Sequence, residues 1–515
     1  MSHCRWGQSA LVASRILFLL LFATLWVSCG SVDHAPANPP PPPPPAPLTA
    51  ADVQQVVENA AKSLAAPMVI AVADRAGKIL AVFQNAGAPV TSTGNFGVAV
   101  DSKELAVALA RTAAFFSNNQ APLSSRTVRF ISGIHFPPGV RNAPNGDLYG
   151  IENTNRGCPL NASFLPEKNI DPAGSIDGLS LGLGIITGKA DNMDSDPAAV
   201  NPGGVPLFKN GYAVGGVGVV STSLDVAEFA AFSGASQSGL LPDPSQLPPP
   251  GVVIIGGIAL PFVNQTTPPN GIGPGTVAGT YLIGPLNGTL PPEGDLVGPT
   301  GGVSGLTQGD VANVISQAVS TAEITRAVIR LPPSSRTKMT IAVADLDGNV
   351  LGLHRMPDAT VFSIDVAVAK ARNVIYFSNP TGTPDLPGVP AGTAVTNRTI
   401  SFGAQPFFPP GIDGSSLGPF FNLYTFDITH PCTQGSQAVN PDQNGIVFFP
   451  GSVPLYKNGV LVGGLGVSGD GVDQDDFVTN AGAKGLEAPD NIRADQVIID
   501  GVRLPYLKFP RNPTQ

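Results

Sequence analysis

The chain repeats itself, and this limits its fold more than any other feature. Ile70 to Ala88 (IAVADRAGKILAVFQNAGA) matches Ile341 to Ala359 (IAVADLDGNVLGLHRMPDA). Asn201 to Ser221 matches Phe449 to Gly469, with 13 of 21 positions identical. Val253 to Phe262 (VIIGGIALPF) matches Val497 to Tyr506 (VIIDGVRLPY), and L-T-x-x-D-V recurs at Leu48 and Leu306. Four matches in one order mean a duplicated domain. Copy one is read as 48–265 and copy two as 306–510, joined by a Gly/Pro-rich linker, 266–305.

Each copy can be read locally. Thr49 and Thr307 are placed to cap a helix, with Asp52 and Asp310 three residues on, near its positive end. An apolar run ending in Asp, a turn at Gly77 or Gly348, and a second apolar run give a hairpin. An Ala-rich helix is expected over Ser102 to Phe116, and again over Ser363 to Phe377. Lys-Asn-Gly at 209–211 and 457–459 sits between apolar runs, where Asn-Gly accepts the positive φ of a type I′ turn. Helix, hairpin, helix, hairpin predicts an α+β fold with helices packed on an antiparallel sheet. Gly and Pro, 60 and 53 residues, favour short strands and many turns, while 43% hydrophobic content argues against an unfolded chain.

Partners are narrowed by charge. The net charge is -9, and no Lys/Arg cluster occurs, so nucleic acid and anionic membrane surfaces are not expected partners. The N-terminus reads as an export signal: Arg5 and Arg15 precede an apolar run from Ile16 to Val27 that is short for a membrane span. The run leads into Ser28-Cys29-Gly30-Ser31, which resembles a lipoprotein cleavage box, although Trp26 stands where such boxes usually carry Leu. Residues 1–29 are therefore expected to be a signal peptide, with lipidation at Cys29. Residues 30–47, with seven prolines from Pro39 to Pro45, are read as an extended spacer between anchor and folded body. Ordinary cleavage or an uncleaved anchor are the alternatives.

These motifs resemble the GlcG/HbpS-like heme-binding family, whose domains have a profilin-like α-β-α fold. Copy two carries Asp345, Gly348, Arg355, Met356, Asp358 and Ala359, then Ser363, Asp365, Ala367, Lys370 and Ala371. It ends the pattern with Val453-Pro454, Gly459, Gly463 and Gly466-Val467-Ser468-Gly469. Copy one keeps Gly203-Gly204-Val205-Pro206 and Gly215 to Val219, but has Gln84-Asn85 for Arg-Met and Leu109 for the helical Lys. Segments near 120–200 and 380–448 lie outside the pattern and read as insertions. Two profilin-like domains in tandem are the fold the resemblance implies. Its functional implication is binding of heme or another tetrapyrrole outside the cytoplasm. If the protein is an enzyme at all, heme degradation is the reaction implied.

Copy two is where a ligand is expected, through His354, Arg355, Met356, Asp358, Ser363 and Lys370. His354 and Met356 would share one face of a strand and Arg355 the other. His354 is the candidate iron ligand, Met356 a weaker one, and Arg355 and Lys370 are cations suited to propionates. The competing reading makes Met356 core, His354 a satisfied or exposed residue, and Arg355 a partner of Asp358. His135, His354 and His430 align with Phe407, Phe83 and Arg156, so a His-ligated site occurs once per chain or is built across the copies. Cys158 and Cys432 fall at nearly equivalent places in the two insertions, and in an oxidising compartment a disulfide between the copies is expected, with free thiols as the alternative. Asp473, Asp475 and Asp476 are read as a solvated acidic loop, with a calcium site as the alternative. No metal-type His/Cys cluster, G-x-S-x-G elbow or phosphate loop appears, so no catalytic residue is assigned. A structural or partner-binding envelope lipoprotein without a small ligand is the second functional reading.

Overall fold

A computed structural model describes residues 44–160, 183–188, 196, 199–243 and 252–515. Cys29, the signal and most of the proline spacer lie outside the described residues. Copy one runs α1 (Ala50–Ser63), β1 (Met68–Asp74), β2 (Ile79–Asn85), β3 (Thr91–Thr93), β4 (Ala99–Asp101), α2 (Ser102–Phe116) and α3 (Ser125–Ile131). It continues with β5 (Gly204–Lys209), β6 (Tyr212–Ser221), α4 (Leu224–Gln237), β7 (Val252–Ile255) and β8 (Ile258–Pro261). Between the copies lie β9 (Gly279–Ile283) and β10 (Gly294–Val297). Copy two runs α5 (Gln308–Ala322), β11 (Thr340–Ala344), β12 (Val350–Arg355), α6 (Phe362–Phe377), α7 (Asn397–Gly403) and α8 (Phe421–Thr429). It ends with β13 (Ser452–Lys457), β14 (Val460–Ser468), α9 (Val472–Gly482), β15 (Ile498–Ile499) and β16 (Val502–Arg503).

The main sheets have equivalent orders, β5-β6-β1-β2-β9 and β13-β14-β11-β12-β10, with every ladder antiparallel. Helices α1 and α4 cover one face of the first sheet and α2 the other; α5 with α9, and α6, do the same for the second. This is the α+β, α-β-α arrangement expected for each copy.

The repeated residues explain the repeated geometry. Thr49 with Asp52 and Thr307 with Asp310 each form a reciprocal capping box. Lys209 reaches back to Asp52 at 2.7 Å and Lys457 to Asp310 at 2.6 Å, tying each Asn-Gly hairpin to the start of its helix. Both residues of each Asn-Gly turn have positive φ, as a type I′ turn requires. A Cβ added at Gly218 would lie 1.9 Å from the Ala106 carbonyl, and one at Gly466 2.1 Å from the Ala367 carbonyl. The glycines of β6 and β14 thus let α2 and α6 lie directly on the sheet.

The segment read as a linker is built into both sheets. Strand β9 pairs with β2 and β10 with β12, closing edges that would otherwise present unpaired amides and carbonyls. Its Gly and Pro content hides two short strands; Phe83 and Tyr281 meet edge-to-face across one of these pairings, at 5.1 Å.

The copies share one buried core. It runs from α1 and β1 through Phe115 and Phe116 to Phe362, Ala367 and Leu353 of copy two. Phe116 and Phe362 stack at 4.2 Å, and the Val361 amide donates to the Phe115 carbonyl. Each buried ring contributes roughly 2–3 kcal/mol by removal from water. Cys158 and Cys432 form a disulfide between the insertions, with Cα atoms 5.5 Å apart. No helix among the described residues is long and apolar enough to cross a membrane.

Candidate functional site

The expected ligand residues of copy two lie close together in the chain but do not converge on one surface. Strand β12 ends at Arg355, so the alternation expected to set His354 and Met356 on one face stops there. Met356 turns into the copy-two core, where its sulfur accepts from the Met339 amide at 3.4 Å. Arg355 is fully buried. It donates to the carbonyls of Ala359 and Pro292 and reaches Glu293 at 3.5 Å, rather than pairing with Asp358.

Asp358 belongs to the seam between the copies. Its backbone adopts φ +63°, and its carboxylate accepts from Arg75 of copy one at 2.8 Å and from Arg330 at 2.7 Å. The Asn119 amide donates to the same carboxylate. Burial opposes the charge on Asp358, but Arg75 and Arg330 hold its carboxyl below the ordinary value. Ser363 exchanges hydroxyl hydrogen bonds with Thr360 at 2.8 Å and Ser468 at 3.1 Å.

Lys370 is fully buried in α6. It donates to the Val467 carbonyl at 2.8 Å and to Asp475 at 3.1 Å, and lies over the Phe449 ring. Burial lowers its ammonium pKa and pushes the Asp475 carboxyl up to about 7, against the downward pull of Lys370. The acidic stretch read as a solvated loop instead lies at the start of α9. Asp473 and Asp476 both pair with Arg398, and Asp473 also pairs with Lys508. Cations of the chain therefore take the place assigned to calcium in the alternative reading.

His354 differs from the other five. Its side chain is 21% exposed, and Nδ1 lies 2.7 Å from Asp295 Oδ1 on the neighbouring strand β10. A carboxylate at Nδ1 fixes the ring and leaves Nε2 as the free donor atom, the arrangement commonly found behind metal-ligating histidines. Among the described residues the other histidines are His135, which bonds to Asp413 within the insertions, and His430, which stacks on Phe426.

Several residues that shape this region were not singled out in the sequence. Arg111 and Arg372 hold equivalent hairpin turns, through Nε to the Gly77 carbonyl at 2.8 Å and to the Gly348 carbonyl at 2.9 Å. The identical Ala-Arg pairs at 110–111 and 371–372 were the available signal. Asp365, part of the copy-two motif but given no role there, is buried and accepts from the Asn155 amide of the copy-one insertion at 2.7 Å. Burial pushes its carboxyl up to about 6.

Residues 306–484 match the family model described as haem degrading protein HbpS-like. The match falls on the second copy, which is similar to the HbpS-like family. Over 153 residues the chain is 26% identical to the corrinoid adenosyltransferase PduO of Salmonella typhimurium strain LT2, covering 30% of this chain and 33% of that protein. The match thus spans about a third of that relative's length. Two solved structures are similar over part of this chain. One, a PduOC–heme complex, is 20% identical, covers 35% of this chain and 94% of the other, and has a TM-score of 0.23. The other, Klebsiella pneumoniae protein ORFY of family DUF336, is 21% identical, covers 34% and 84%, and has a TM-score of 0.21.

Proposed function

We propose that this protein binds heme or a related tetrapyrrole through copy two, with His354 as the iron ligand. The observation that carries this reading is the Asp295–His354 pair, which orients the ring from a neighbouring strand and leaves Nε2 available. The HbpS-like match over 306–484 supports the same ligand class. His354 would hold the iron through Nε2. Arg355, Met356, Asp358, Ser363 and Lys370 do not fit as direct ligands, since each is already satisfied within the fold. When bound, heme iron supplies the redox and ligand-binding chemistry, and the chain's part is to hold the imidazole in one orientation.

Export and lipid anchoring at Cys29 belong to the proposal and rest on the N-terminal sequence. Labelling with a radioactive or alkyne fatty acid, compared between wild type and Cys29→Ser, tests the anchor; equal labelling of both removes it. A second reading is favoured by the burial of four of the six motif residues, Arg355, Met356, Ser363 and Lys370. In it, the motif persists as structural glue, and the protein serves a partner in the envelope. Titration of the unit Pro45–Gln515 with hemin separates the two readings. A saturable Soret change near one heme per chain supports the first, and a linear, non-saturating response supports the second.

A further inference from the structure

Each copy has a cavity beside the same strand-to-helix corner, and the two differ in their walls and in chemistry. Each lies where the last core strand, β6 or β14, passes into the following helix. Val220, Ser221, Leu224 and Ala227 line the cavity of copy one; the aligned Ser468, Gly469, Val472 and Asp475 line the other, which copy-one residues such as Phe136 and Ile255 close from the opposite side. In copy two Asp475, paired with the buried Lys370, stands on the wall, and that cavity is about 60 Å³. In copy one the corresponding residues are Leu109 and Ala227, both on the cavity wall, and the volume is about 290 Å³.

Copy one has also gained a wall. Ala88 to Ser102 is ten residues longer than Ala359 to Ser363, and the extra chain folds as the β3–β4 hairpin. Thr91, Ser92 and Thr93 of that hairpin line the mouth. Ser92 anchors the hairpin to the start of α2 by a hydroxyl contact with Ser102 at 2.8 Å. A buried charged pair has thus been exchanged for aliphatic side chains, and a strand bearing hydroxyls has been added opposite them.

We propose that the copy-one cavity binds an uncharged small molecule. Its apolar body would lie against Leu105, Leu109 and Leu224, and its polar edge would meet the hydroxyls of the mouth. None of the described residues lining the cavity is charged. An ion entering it would lose hydration without gaining a counter-charge, at a cost of several kcal/mol. The volume is near the lower end of ligand pockets, roughly 300 Å³. No residue of copy two takes part, so the site stands independently of heme binding.

Two fluorescent probes with the same aromatic body test it on the full chain: neutral N-phenyl-1-naphthylamine and anionic 1-anilinonaphthalene-8-sulfonate. The neutral probe is expected to saturate at one site, and the sulfonate to bind at least tenfold more weakly. Leu109→Lys with Ala227→Asp, which writes the copy-two pair into copy one, should weaken the neutral probe at least tenfold. Thr93→Trp, on the exposed hairpin, should do the same by blocking the mouth, even where the buried double variant fails to fold. His354→Ala should leave binding unchanged. Equal binding of both probes, no saturation, or full binding by the folded Thr93→Trp variant would overturn the proposal.

Discussion

Asp358 was expected to touch a ligand, yet its contacts make it a clamp between the copies, and the two roles have different consequences when the charge is removed. Asp358→Asn keeps the shape and tolerates the positive φ, since Asn adopts left-handed backbone readily. It leaves the guanidinium groups of Arg75 and Arg330 without a shared carboxylate. Breaking a buried ion pair from one side costs roughly 3–5 kcal/mol. Arg330 keeps Asp470, and Arg75 keeps the Ser117 carbonyl at 3.3 Å, which favours the lower end, about 3 kcal/mol. Urea unfolding at pH 7 measures this loss in the first cooperative transition. Asp52→Asn, at a partly exposed capping pair, should cost only about 1 kcal/mol. Adding Arg75→Met to Asp358→Asn should restore part of the stability, because the stranded charge is then gone. A loss below about 1 kcal/mol for Asp358→Asn, or purely additive effects in the double variant, would refute the clamp.

Other outcomes follow from the same geometry. Gly466→Ala should lower stability by roughly 2–3 kcal/mol, since its Cβ would collide with the Ala367 carbonyl, whereas Gly459→Ala, with open space around it but φ +77°, should cost about 1 kcal/mol; thermal unfolding compares them. Reducing Cys158–Cys432 releases a link spanning 274 residues, for which chain entropy sets an upper bound of about 5–6 kcal/mol; thiol titration before and after reduction should change from zero to two for these residues. Asp365, with its carboxyl raised to about 6 in the fold, is more protonated when folded than when unfolded, so its contribution to stability falls as pH rises from about 4 to 6. Asp365→Asn should flatten that slope, a difference of roughly 3 kcal/mol across the window, read from urea midpoints at pH 4 and pH 7.

What could be read in advance depended on whether a residue's partner was local or aligned. The capping boxes, the Asn-Gly hairpins and the Ala-rich helices were legible because their geometry is set within a few residues. Their order predicted an antiparallel sheet with packed helices, and the family resemblance implied the α-β-α layering. Strands β9 and β10 were hidden because their pairing lies across a long stretch of chain and their composition is that of a linker. The same holds for the site. His354 could be named from its motif, but Asp295, which orients it, comes from the hidden strand. Arg355, Met356 and Lys370 were named for chemistry that their burial does not allow, since an isolated sequence gives the residue type and not which copy it packs against. Arg75, Arg330 and Asn119 were invisible for that reason: their common partner, Asp358, becomes a seam residue only when the copies dock.

The most direct test of the central claim compares hemin titrations of wild type, His354→Ala and Asp295→Asn by Soret absorption, with folding checked by circular dichroism. The account predicts saturation near one heme per chain, loss of the specific Soret shift in His354→Ala, and affinity weakened roughly 10–100-fold in Asp295→Asn. An unchanged titration in folded His354→Ala would contradict it.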